Sequence, residues 1–181
     1  MIKTMNYLTV GLLTLVLFSC GTEEAKTPDQ IKEEAREAIL LERSKLLNST
    51  GELDTNQANT IIDMYITFVQ NNTDDKDASE FMFQAGSLCV GKGDYKRAIR
   101  LLENVTKNYG DDKRAVEAYF LTAFIYENYL NQKGAAEDAY KLVIEKFPRH
   151  DLALQSRAAI ENLTKTDEEL IRMFEEKNQG S

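Results

Sequence analysis

The apolar positions of this chain return at intervals of three and four, the spacing that lays one side of an α-helix against a core. Ile61, Tyr65, Phe68 and Val69 make one such stripe, Ala98, Leu102 and Val105 a second, and Ala136, Tyr140, Val143 and Ile144 a third. Polar breaks over 71–76, 110–113 and 148–151 separate each helix from the next. Upstream, residues 29–47 are rich in Glu, Ala and Leu and predict a helix that pairs with another over 56–70 as the first hairpin. Downstream, Thr166 and Glu169 have the spacing of a capping box, and Leu170, Ile171 and Phe174 share a face behind it, which predicts a terminal helix over 167–178. No strand-like alternation runs through the chain, and the expected fold is all-α.

A longer period lies over the helical one. Ala78, Ala115 and Ala153 hold equivalent places, 37 and then 38 residues apart. Small side chains recur where two helices must approach closely, at Ala85, Gly86, Ala98, Ala123 and Ala136. A period of this length predicts a helix-turn-helix solenoid of about three to four hairpins, each burying its apolar side against the next, closed by a C-terminal capping helix.

Two stretches carry a family likeness. Ala85, Gly86, Cys89, Gly93, Asp94, Tyr95 and Ala98 resemble the tetratricopeptide repeat: a small residue in the first helix, a bulky one a turn later, a turn glycine, then an aromatic and an alanine opening the second helix. Ala136, Tyr140, Val143, Ile144, Phe147 and Pro148 are similar to a longer variant of that repeat found in cell-envelope proteins. Among these are the Tol-Pal-associated periplasmic repeat protein and the repeat lipoprotein of outer-membrane protein assembly. The resemblance spans roughly residues 56–164 and implies a protein-binding solenoid.

The N-terminus follows a different pattern. Lys3 is followed by an uncharged apolar run over 8–18, about half of the roughly 20 residues a helix needs to cross a bilayer. Residues 1–19 therefore read as a removable signal peptide. Leu17, Phe18, Ser19 and Cys20 resemble the lipobox of bacterial lipoproteins. The resemblance implies that Cys20 is lipidated, with palmitate among its acyl groups, and becomes the mature N-terminus. Residues 20–28 would then be the lipidated cysteine and tether, and 29–178 the repeat domain. Each buried methylene of an acyl chain adds about 0.8 kcal/mol, and two or more chains hold a protein stably on a membrane. Gly21 stands where an Asp would signal inner-membrane retention, so the likeness points to the outer membrane, at its periplasmic face rather than the cell surface. Glu23 and Glu24 are read as solvated linker acids, although acids just there serve some lipoproteins as a surface-display signal.

Charge narrows the partners. With 22 Lys and Arg against 30 Asp and Glu and no basic cluster, the chain lacks the cationic surface that holds nucleic acid or anionic headgroups. The membrane would be reached only through the lipid. Cys89 is the one cysteine besides Cys20, so no intramolecular disulfide forms in the mature chain and stability must come from packing.

Candidate chemistry is sparse. His150, the sole histidine, sits in a polar turn, and Cys89 takes a buried hairpin position where a thiol behaves as a small hydrophobe. Together they supply too few ligands for a metal site. Residues 91–94, Gly-Lys-Gly-Asp, lack the spacing and the preceding strand of a phosphate loop. The acid pairs Asp74-Asp75 and Asp111-Asp112 lack the spaced ligands of a calcium loop and read as solvated turn charges. No cofactor is implied, and the chain is not expected to be an enzyme.

Binding is the stronger expectation. Registering the repeats by Gly86 and Ala123 puts Phe83, Phe120 and Phe124 toward the inner, concave surface, with Glu80, Glu117 and Glu127 nearby, as an aromatic groove with an acidic rim for another envelope protein. The alternative is that the same phenylalanines pack as core between helices. The resulting functional reading is a lipid-anchored, non-catalytic interaction adaptor of the cell envelope. The alternative function is an accessory lipoprotein that binds a small ligand or glycan, against which the absence of Trp counts. Cys20→Ser is expected to abolish labelling by a clickable fatty acid and to block removal of the leader. A variant that is still labelled and still fractionates with membranes would place the anchor elsewhere.

Overall fold

The computed structural model describes residues 25–47, 51–166, 168, 169, 171, 172, 175 and 176. The expected leader, Cys20 with most of its tether, and Leu170 and Phe174 of the expected terminal helix lie outside them. The described residues form seven α-helices in sequence: α1 (Pro28–Arg43), α2 (Thr55–Asn71), α3 (Ala78–Gly91), α4 (Tyr95–Asn108), α5 (Lys113–Asn128), α6 (Lys133–Lys146) and α7 (Asp151–Leu163). Extended pairing among them is confined to one isolated antiparallel bridge between Leu47 and Leu53. The architecture is an all-α solenoid of helical hairpins, α1–α2, α3–α4 and α5–α6, with α7 opening a fourth unit.

Short polar side chains start most of these helices by satisfying amides that have no partner within the helix. Thr27 and Gln30 form a reciprocal capping box at α1, with bonds of 3.3 and 2.8 Å. Asp54 accepts from the amides of Asn56 and Gln57, Asp94 from Arg97 and Asp112 from Arg114. After α7, Thr166 and Glu169 close the box that their spacing predicts, and the described residues from 168 to 176 are helical.

The helix expected over 29–47 ends instead at Arg43. Beyond it the amides of Ser44, Lys45 and Leu46 turn back onto carbonyls three residues earlier, and the Ser44 hydroxyl donates to the Leu41 carbonyl. A side chain that bonds its own backbone in this way competes with helix continuation.

Packing follows the repeat. Each second helix lies between its own first helix and the next one: α2 touches α1 and α3, α4 touches α3 and α5, and α6 touches α5 and α7. The first helices also meet one another, α3 with α5 and α5 with α7. Ala78, Ala115 and Ala153 are fully buried, as are Ala85, Ala98, Ala123 and Ala136. At Gly86 a β-carbon would stand 3.0 Å from two carbons of the buried Leu102, so α3 and α4 approach at this glycine more closely than even an alanine would comfortably allow. One core runs from Ile39 through α2, α3 and α4 to Ile125, and a smaller one joins Ala123, Ala136, Ala139, Tyr140 and Leu163 at the C-terminal end.

Leu102 seats the closest crossing in the larger core. Leu102→Ala is expected to destabilise the domain by about 2–5 kcal/mol, read as a lower midpoint in urea or thermal denaturation. A change under about 1 kcal/mol would mean that the crossing relaxes around the lost volume.

Candidate functional site

The surface shared by the first helices α3 and α5 is organised by Arg114. Its Nε donates to Glu80 at 2.5 Å, its Nη1 bonds Glu117, and its guanidinium carbon lies 4.9 Å from the ring centre of Phe83. Glu80 also accepts from the Gln84 amide at 2.8 Å. Burial alone would raise the Glu80 carboxyl, but the bonds from Arg114 and Gln84 and the Arg114 charge outweigh it and hold the group below the usual carboxylate range. Glu80, Phe83 and Glu117 are thus brought together, around a cation. Both acids of this half of the expected rim are paired within the chain, with one guanidinium shared between them. Arg114 was absent from the sequence-derived set, although its place 34 residues after Glu80, one repeat on, is the trace it leaves.

The other three candidates form a separate group. Phe120 meets Tyr140 of α6 edge-on with ring centres 5.5 Å apart, and Glu127 accepts the Tyr140 hydroxyl at 2.7 Å. Burial, then that bond and the Glu127 charge, push the Tyr140 phenol well above its ordinary range. Phe124 packs edge-on against Tyr129 at 5.9 Å, and Tyr129 stacks on Tyr95 at 4.5 Å. All six candidates are half-buried. The three phenylalanines each have an intramolecular partner.

Two clefts lie on other faces. One, of about 740 Å³, runs between α1 and α2 over Ile31, Ala35, Ile39, Met64 and Phe68. The second, of about 820 Å³, runs between α2 and α4 and is more polar, with Gln70, Asp74, Arg100, Asn104 and Asn108 among its walls. Neither is visible as a motif, because each is a space left between packed helices rather than a run of residues.

The residues weighed for chemistry have structural places. His150 starts α7, its Nδ1 accepting the Leu152 amide at 3.1 Å. Cys89 is buried in the larger core, and burial pushes its thiol up, away from the thiolate a nucleophile needs. The glycines at 91 and 93 close the α3–α4 turn, Gly93 at φ +76°, and Lys92 bonds Asn59. Asp112 caps α5 and accepts the Ser79 hydroxyl at 2.9 Å. Asp75 departs from the expected solvated turn charge: its side chain is only 7% exposed, and it accepts from Arg36 of α1 at 2.9 Å. Among the described residues no three His, Cys, Asp or Glu side chains cluster as metal ligands, and no helix is long and apolar enough to cross a membrane.

The Glu80–Arg114 pair gives a pH test. A folded carboxyl held below its unfolded value contributes stability that is complete above the ordinary carboxylate range and disappears as pH falls through the folded value. Glu80→Gln is therefore expected to narrow the stability difference between pH 6 and pH 3, by under about 1 kcal/mol for so partly exposed a pair. Denaturation of both proteins at the two pH values checks this, and an equal loss in each would remove Glu80 from the linkage.

Comparison with known proteins adds one match and one blank. No curated protein is matched by the chain. Residues 117–150, from the middle of α5 through α6 to the start of α7, match a family model described as a tetratricopeptide repeat. The chain is an all-α solenoid of helical hairpins whose α5–α6 hairpin is similar to a tetratricopeptide repeat.

Proposed function

We propose that this protein is a lipid-anchored adaptor of the bacterial cell envelope, which presents its helical-repeat surface to another envelope protein and does no chemistry of its own. Tetratricopeptide repeats generally mediate protein–protein interaction, and stacked hairpins offer a continuous side-chain surface suited to it. The observation that carries the reading is the first-helix surface. Phe83 and Phe120 occupy the same position one repeat apart, Phe124 follows one turn later, and all three are half-buried, Phe83 beside the Arg114 ion pairs. Partly exposed aromatic side chains of this kind are the residues enriched at interface centres. Anchoring through Cys20 at the outer membrane, on the periplasmic face, rests on the lipobox likeness and on Gly21.

The test is a crosslinking pull-down from intact membranes with the wild-type protein and with Phe120→Ala/Phe124→Ala. The double variant is expected to stay folded and to weaken the complex by about 2 kcal/mol or more. Loss of about 3–5 kcal/mol of folding stability per phenylalanine would mark them as core. A stable variant that retains its partner would exclude this surface.

A further inference from the structure

Charged groups on the aromatic face and along the α1–α2 cleft are taken up within the chain: Arg114 pairs with Glu80 and Glu117, Lys32 with Asp75, and Arg97 with Asp63. The α2–α4 cleft differs. The side chains of Gln70 and Asp74 on its α2 side and of Arg100, Asn104 and Asn108 on α4 make no hydrogen bond or ion pair with another described residue. Val69 and Met82 are buried and Ile66 and Leu101 half-buried, whereas Gln70, Asp74, Arg100 and Asn108 are exposed. Apolar carbon thus forms the floor and polar atoms the rim, the usual make-up of a binding site.

Spacing along α4 says what shape of ligand this rim suits. Arg100, Asn104 and Asn108 follow one another at i, i+4 and i+8, each about 6 Å beyond the last on one side of the helix. Two residues of an extended chain rise about 6.6 Å, so the ladder keeps step with every second residue of an extended peptide. Each side-chain amide offers both donor and acceptor, the complement of a backbone N–H and C=O. A docking helix would have those backbone groups engaged within itself, and an extended chain has them free.

Charge sets the direction. Arg100 stands at the start of the ladder, and Asp74 belongs to its far end: the hydroxyl of Tyr109, the residue after Asn108, donates to the carbonyl of Thr73 at 3.1 Å. Burial, then the Asp74 charge, raises the Tyr109 phenol, which agrees with that placement. From Arg100 to Asn108 is about 12 Å along the helix, a length an extended chain covers in about four residues. One free cation set against one free acid suits a run of residues carrying both signs and gives a polyanion no foothold.

We infer that the α2–α4 cleft binds an extended peptide segment of another protein, with an acidic side chain at Arg100, a basic one about four residues away at Asp74, and apolar side chains on the floor between them. The site lies on the second helices, apart from the first-helix aromatic surface, so the Phe120→Ala/Phe124→Ala protein serves as its control. A library of random decapeptides, acetylated and amidated at their ends, is panned on the full-length protein. Selected peptides are expected to share an acid and a base about four positions apart with apolar residues alternating between, and to bind the control as well as the parent. Arg100→Glu is expected to exchange the acid for Lys or Arg at the same position, while this exposed site leaves the melting transition unchanged. Asn104→Ala, and separately N-methylation of the peptide's central amides, are each expected to weaken binding by about three- to tenfold, the loss of one ordinary hydrogen bond. The assignment would be overturned by a library that yields no shared pattern, by apolar residues at helical spacing, or by an Arg100→Glu protein that selects the same peptides as its parent. Binding that survives both Asn104→Ala and N-methylation, or that is lost in the control, would overturn it equally.

Discussion

An interior first helix in this fold must be covered on two sides, and the rest of the structure depends on that constraint. α3 carries apolar or small residues around much of its circumference, from Ala78 and Phe81 to Met82, Gly86 and Cys89. One neighbour cannot bury such a helix. It is stable only with α2 against Tyr65 and Phe68 on one flank and α4 against Leu102 on the other. The same demand at α5 requires α4 and α6, so each hairpin needs the next, and stability becomes a matter of neighbours rather than of any one hairpin.

Apolar cover leaves the register between repeats loosely specified, because alanine surfaces can slide. Polar links set it. Lys92 with Asn59, Arg97 with Asp63, Ser79 with Asp112, Arg114 with Glu80, and Tyr109 with the Thr73 carbonyl join residues between 33 and 36 apart, one repeat each. Half-exposed pairs of this kind contribute little stability singly. Their common spacing gives them a different role: a slip of one helical turn would break them all together.

Much of the fold was legible in the sequence because the buried small residues recur at the repeat interval and the turns carry aspartates and glycines. Ala78, Ala115 and Ala153 are buried where the period places them, the Asp112 cap falls in a polar break, and the Asp94 cap follows the turn glycine Gly93. Pairings between different side chains left no such trace. Asp75 reads in sequence as half of an acidic turn, and only the folded chain brings Arg36 to it across 39 residues. Glu127 reads as a rim acid, yet its partner is the Tyr140 hydroxyl on the next helix. The helical period identifies which face a residue occupies. It does not say whether a charged neighbour one repeat away will pair with it, as Arg114 does with Glu80.

Arg36 shows how α1, the first of the described helices, is held. A single guanidinium ties it to α2 and α3. Arg36 donates to Asp75, Asp77 and Glu33, and its guanidinium carbon lies 5.1 Å from the Phe68 ring centre and 6.0 Å from that of Phe81. Burial works against its charge, but the bond to Asp75 and the charge of that carboxylate more than offset it, so the group holds its proton more firmly than usual. At 13% and 7% side-chain exposure, Arg36 and Asp75 are the most enclosed ion pair among the described residues. Such a pair constrains geometry more than it stabilises, since desolvation offsets much of the attraction. It orients α1 without wrapping it. The apolar side of α1 that holds Ile31 and Ala35 is thereby held in place along the α1–α2 cleft.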